Sequence, residues 1–189
     1  PLLDYKIKLS TIPPIEIDSF SITSGKHNIV FANCSRGILK VNLKESVPPD
    51  FNPVIIVKDK SGKTLNIQSL GDEVKYISGI YNAEVLTLPI TIINNIDIEA
   101  DNSTIINFDN PGILNIQKNI RGFGIIYQLV NGNQIKVISI NENSSRSESL
   151  YLQPGDYRIV FRPLNSSQSV FTQFEDFKIT SGKTTKIKL

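Results

Sequence analysis

Apolar and polar residues alternate with a period of two along most of this chain. Tyr5, Ile7 and Leu9 share one face of an extended segment and Lys6 and Lys8 the other, the pattern of a half-buried antiparallel strand. Leu39, Val41 and Leu43 alternate in the same way with Ile38, Lys40 and Asn42, and Gly112-Ile-Leu-Asn-Ile restarts that pattern. Residues 54–65 and 124–135 each read as strand, turn, strand, with turn glycines at Gly62 and Gly132; Asn131-Gly132 is the strongest hairpin signal. Ser24-Gly25-Lys26 predicts a further hairpin turn between strands at 15–22 and Asn28–Phe31. The proline-rich stretch 45–53 ends a strand, because proline removes a ladder donor. Gln153-Pro154-Gly155 predicts a type II turn with Gly155 at positive φ, feeding Tyr157. No window of about 12 residues keeps a 3.6-residue period, so the fold is expected to be all-β.

The pattern repeats. Tyr5, Tyr81 and Tyr157 stand 76 residues apart, Thr11 and Pro13 match Thr87 and Pro89, and Ile22 matches Ile98, while the third copy carries a longer loop. Tandem antiparallel β-sandwiches follow, immunoglobulin-like or prealbumin-like, with about 76 residues per repeat. Residues 1–36 read as the second half of a unit, and 37–110 and 111–189 as complete units joined at Asp109-Asn110-Pro111-Gly112. Half a sandwich leaves strand edges open. Residues 1–36 are therefore expected to pack on the first complete unit, or to pair with their copy in a second molecule as a dimer, with the cut end at the N-terminus.

Composition narrows the chemistry. With 40% apolar residues, 20% charged and a net charge of +2, the chain has no basic stripe interleaved with aromatics, so nucleic acid is not an expected partner. No apolar run reaches the roughly 18 residues of a transmembrane segment. Cys34 stands alone, which excludes an internal disulfide and a cysteine metal centre, and reads as a small buried hydrophobe near a strand end. His27, the single histidine, sits beside a turn. The adjacent carboxylates Asp72/Glu73 and Glu175/Asp176 point to opposite strand faces and cannot flank one bond. With no nucleophile elbow, phosphate loop or zinc-helix motif, the chain is expected to be no enzyme and to hold no cofactor or metal. Arg121, Phe123 and Tyr127 form the one basic-aromatic cluster at a loop and are the interaction candidates. They would serve an alternative role as a carbohydrate-binding module, against which tryptophan is absent and most of the nine phenylalanines and six tyrosines fall at core-type positions. Lys40 and Glu84 could supply an internal amide bond, but their spacing fits such a bond poorly.

The segments Gly122-Phe-Gly-Ile-Ile-Tyr, Leu152-Gln-Pro-Gly-Asp-Tyr-Arg-Ile-Val-Phe-Arg and Phe177-Lys-Ile-Thr-Ser-Gly-Lys-Thr-Thr, with Tyr81 and the Leu-Thr-Leu-Pro that follows it, carry a resemblance. Together they resemble the C-terminal β-repeat region of bacterial proteins with a von Willebrand factor A domain, often labelled calcium-activated chloride channel-like. The resemblance covers residues 80–189 directly and the earlier part through the repeat. It implies a structural or protein-interaction module of an exported protein, in the periplasm, at the cell surface or secreted, whose partner is a protein or an upstream domain. The Asp-x-Ser-x-Ser metal loop of the A domain has no counterpart: Asp59-Lys60-Ser61-Gly62-Lys63 and Asp101-Asn102-Ser103-Thr104-Ile105 both lack the final serine and lie at predicted turns.

Overall fold

The structure, a computed structural model, describes residues 4–46, 48, 50–143, 147–164 and 172–189. The longer loop expected in the third copy spans residues 165–171 and lies outside them. The described residues form strands and turns without a helix. β1 (Asp4–Leu9) and β2 (Ile15–Ser21) make a two-stranded antiparallel sheet. There follow β3 (Arg36–Leu43), β4 (Ile55–Lys58), β5 (Thr64–Gln68), β6 (Val74–Ile77), β7 (Gly79–Val85), β8 (Thr91–Ile98) and β9 (Ser103–Phe108). Then come β10 (Gly112–Gln117), β11 (Gly122–Val130), β12 (Asn133–Ile140), β13 (Glu148–Leu152), β14 (Gly155–Pro163), β15 (Gln173–Ile179) and β16 (Thr184–Lys188).

Two compact units result: Pro1–Asn42, Asn52–Val85 and Ile92–Asn107 in the first, Leu43–Phe51, Leu86–Thr91 and Phe108–Leu189 in the second. The strands form all-β two-sheet sandwiches, each pairing a three-stranded sheet (β6-β3-β9 or β13-β10-β16) with a four-stranded one (β5-β4-β7-β8 or β12-β11-β14-β15). In the second, Leu114, Ile116, Leu152 and Ile187 from one sheet meet Ile126, Tyr157, Ile159 and Phe161 from the other in a single core. In the first, Tyr76 of β6 packs on Tyr81 of β7 with ring centroids 5.6 Å apart, and its hydroxyl donates to Gln68 Oε1 at 2.6 Å.

The 76-residue period is visible as repeated wiring. The Tyr81 hydroxyl donates to the Ile77 carbonyl and the Tyr157 hydroxyl to the Gln153 carbonyl, both at 2.6 Å. The Ile77 amide donates to Ile12 and the Gln153 amide to Leu88, both at 2.7 Å. Thr11 and Thr87 each donate a hydroxyl to the carbonyl of the proline two residues on, and both prolines follow cis peptide bonds. The glycines that open β3 and β10 have one cause. A Cβ on Gly37 would lie 2.1 Å from the Glu99 carbonyl oxygen, and one on Gly112 would lie 2.6 Å from that of Thr180. Asn131 and Gly132, at φ 50° and 80°, make the two-residue turn that their sequence predicts between β11 and β12.

Three expectations are corrected. Cys34 is half-buried at the edge of an open pocket rather than buried. Residues 28–31 form no strand, and Phe31 is 88% exposed where its counterpart Phe108 at the end of β9 is buried. β9 lies beside β3, and among the described residues the β1–β2 sheet has no third strand of that kind to pair the segment. Gly155 has positive φ as expected, but at 159° it lies near extended backbone rather than at the roughly +80° of a type II turn, so only the turn type is corrected. It already belongs to β14, paired with Ile179 of β15, and Gly79 opens β7 at φ 157° in the same manner.

Candidate functional site

The interaction candidates sit on β11 or just before it. Gly122, Gly124 and Ile126 face the core, which by the strand period turns Phe123, Ile125 and Tyr127 to the outer face of the four-stranded sheet. Gly122 makes room for Phe161 and Gly124 for Ile140: a Cβ on Gly122 would meet the Phe161 ring at 2.5 Å, and one on Gly124 would meet Ile140 Cδ1 at 2.3 Å. Arg121 is exposed, and its carbonyl accepts the Leu164 amide at 2.9 Å. Phe123 is 48% exposed. Across β14 the outward neighbours are Arg162 opposite Phe123, Val160 opposite Ile125 and Arg158 opposite Tyr127, while Lys136 of β12 flanks Tyr127 on its other side. On β15, Phe174 stands opposite Val160 and Asp176 opposite Arg158.

The structure therefore brings Phe123 and Tyr127 onto one face and adds Phe174, which is 69% exposed. Phe123 and Phe174 lie two strand spacings apart and two residues offset along the strands, about 12 Å. Arg158 makes a bidentate pair with Asp176, Nε to Oδ1 at 2.6 Å and Nη2 to Oδ2 at 2.8 Å, and its guanidinium carbon sits 4.9 Å from the Phe174 ring centroid. The Arg158 hydrogen bond holds the Asp176 carboxyl below its ordinary range, and Asp176 raises Arg158 in turn. Such a face offers planar apolar area and a fixed, neutralised charge pair, which suits stacking contacts. Sequence reasoning missed Phe174. The signal was present, since Phe174 and Phe177 are three apart on one strand and cannot both face inward.

Other candidates have separate duties. Lys40 pairs with Glu73 at 3.0 Å and Glu84 with Lys58 at 2.6 Å, so Lys40 and Glu84 are not brought together. Asp59 Oδ1 accepts from the Ser61 amide and hydroxyl and from the Lys63 amide, spending its carboxylate on the hairpin turn. Among the described residues no group of three or more His, Cys, Asp or Glu side chains could hold a metal ion. A buried cation went unforeseen. The Lys118 side chain is fully buried and donates to the Asn141 carbonyl at 2.7 Å and to the Glu148 carboxylate. Its inward orientation continues the alternation Leu114, Ile116, Lys118. Among the described residues no helix is long and apolar enough to cross a membrane.

In class, this is an all-β chain of repeated two-sheet sandwiches. No protein-family model matches it, and no curated protein does. Among solved structures it is similar to the Bacillus anthracis TIE protein, with 16% identity, a TM-score of 0.33, and 93% of this chain and 37% of that one covered. It thus spans little more than a third of the TIE protein. It is also similar to GBS52, the minor pilin of Streptococcus agalactiae, with 11% identity, a TM-score of 0.34, and 81% and 94% covered.

Proposed function

We propose that this chain is a non-enzymatic structural or protein-interaction module of an exported bacterial protein, in which it follows a von Willebrand factor A domain. One observation carries the reading: the features that recur every 75 or 76 residues are those that hold a sandwich together. They are the tyrosine hydroxyl bonds, the Thr-x-Pro loops and the close-approach glycines. The outward side chains differ between copies, so repetition serves architecture and leaves each surface to its own partner. The A-domain context and the export rest on the sequence resemblance of residues 80–189. Fractionating cells that make the full-length protein tests the reading. The module should be found in the envelope or medium and crosslink to protein, and retention in the cytosol would overturn it.

The outer face with Phe123, Tyr127 and Phe174 favours a second reading, binding of a carbohydrate by stacking. A glycan-array signal that Phe123→Ala and Phe174→Ala both abolish would select it over the first.

A further inference from the structure

The second unit has a loop built into one end of its three-stranded sheet. Lys44 Nζ pairs with Asp109 at 2.7 Å. The Glu45 amide donates to Asn110 Oδ1, and Asn110 Nδ2 donates to the Ser46 carbonyl, both at 2.9 Å. Phe51 packs on Tyr151 with centroids 5.2 Å apart, and a Cβ on Gly182 would lie 3.8 Å from Glu45 Oε2.

The first unit has the same receiving framework. Ile38 pairs with Lys75 as Ile113 pairs with Tyr151. The Asp101 amide donates to Arg36 as the Gly182 amide donates to Pro111, and the Ile38 amide donates to Asn102 as that of Ile113 donates to Lys183. Cys34, Ser35, Arg36, Lys75 and Asp101 thus stand where the second unit has Asp109, Asn110, Pro111, Tyr151 and Gly182, and they line an open pocket of about 310 Å³.

We propose that this pocket receives a proline-containing loop from another copy of the repeat, with charges exchanged relative to residues 44–51. Where Lys44 meets Asp109, the pocket presents Cys34 and takes an apolar residue. Where Glu45 approaches Gly182, it presents Asp101 and takes a basic one. Where Phe51 covers Tyr151, it presents Lys75 beside Arg36 and takes an acidic one. The Ile12–Ile77 bond at the neighbouring strand repeats the Leu88–Gln153 bond of the second unit, and Phe31 is exposed where its counterpart Phe108 is buried. The proposal rests on reading the chain as a stacking module and names what stacks.

Titrating the ¹⁵N-labelled 189-residue chain with peptide 43–52 carrying Lys44→Val, Glu45→Lys and Phe51→Glu tests it. Amide shifts are expected at residues 34–38, 75, 101 and 102, with slower alkylation of Cys34. The unaltered 43–52 peptide should bind about ten-fold more weakly, the cost of one unfavourable charge contact. Lys75→Glu, at an exposed position, should weaken the exchanged peptide about ten-fold with no change in melting temperature. No shifts at millimolar peptide, shifts elsewhere, or equal binding of both peptides would overturn the proposal. Any of these would leave the module reading standing, because fractionation and glycan binding decide that.

Discussion

The two sandwiches share their wiring and keep their buried polar groups in different places. In the first, Tyr76 and Gln68 hydrogen-bond inside the core, and Asn66 Nδ2 donates to the same hydroxyl at 3.0 Å. In the second, Leu152 pairs with Gly112 as Tyr76 pairs with Gly37, and Ile140 pairs with Gly124 as Gln68 pairs with Ile55, so the same region is apolar. Polarity moves instead to Lys118, whose counterpart on β3 is the buried Leu43. Volume is exchanged too: Ile55 faces Val85 in one sandwich, and Gly124 faces Phe161 in the other. A scaffold fixed by turns and close approaches accepts a different core when facing residues change together, because summed volume and satisfied hydrogen bonds are what the fold requires.

Substitutions at three places in the second sandwich probe what distinguishes it. Lys118→Ala should have the largest effect, destabilising the second sandwich by about 3–5 kcal/mol in urea unfolding, because Glu148 and the Asn141 carbonyl lose a buried cation. Lys118→Leu with Glu148→Gln, which imitates Leu43, should recover most of that loss; failure to recover would show that the pair contributes more than its own satisfaction. Next, Gly124→Ala should cost about 1–3 kcal/mol through its clash with Ile140. Adding Ile140→Ala should relieve part of that cost, giving a coupling of about 1 kcal/mol in a double-mutant cycle. Strict additivity would contradict the volume exchange. The smallest effect concerns acid. The folded-state pKa of Asp176 is depressed by Arg158, so its contribution is complete above the ordinary carboxylate pKa and is lost as pH falls through the depressed value. Melting curves of Asp176→Asn should therefore lie slightly below those of the parent at neutral pH and merge with them in strong acid.

The features legible in the sequence were those encoded locally. Alternation at β3 and β10, the Asn131-Gly132 turn and the tyrosine period are written in neighbouring residues, and the strands follow them. What escaped depended on residues distant in sequence. Residues 28–31 alternate as a strand should, yet a strand needs a partner ladder, and nothing in His27–Phe31 reveals that no strand among the described residues pairs with it. The Pro154-Gly155 pair suggests a turn, but pairing with Ile179 draws Gly155 into β14. At the candidate face, Phe123 and Tyr127 were readable from β11 alone. Phe174 and Arg158 joined them only through the register of β11, β14 and β15.

The parallel pairing of β10 with β16 bears on mechanical force. The ladder runs from Ile113 beside Thr184 to Gln117 beside Lys188, so the first and last strands of the repeat lie side by side and point the same way. Tension applied at Gly112 and Leu189 pulls the two strands past each other along their length. The evenly spaced bonds of a parallel ladder then carry the load together and must yield together, whereas a hairpin pulled at its open end parts one bond at a time. A chain of such units resists stretching where it begins and ends each repeat.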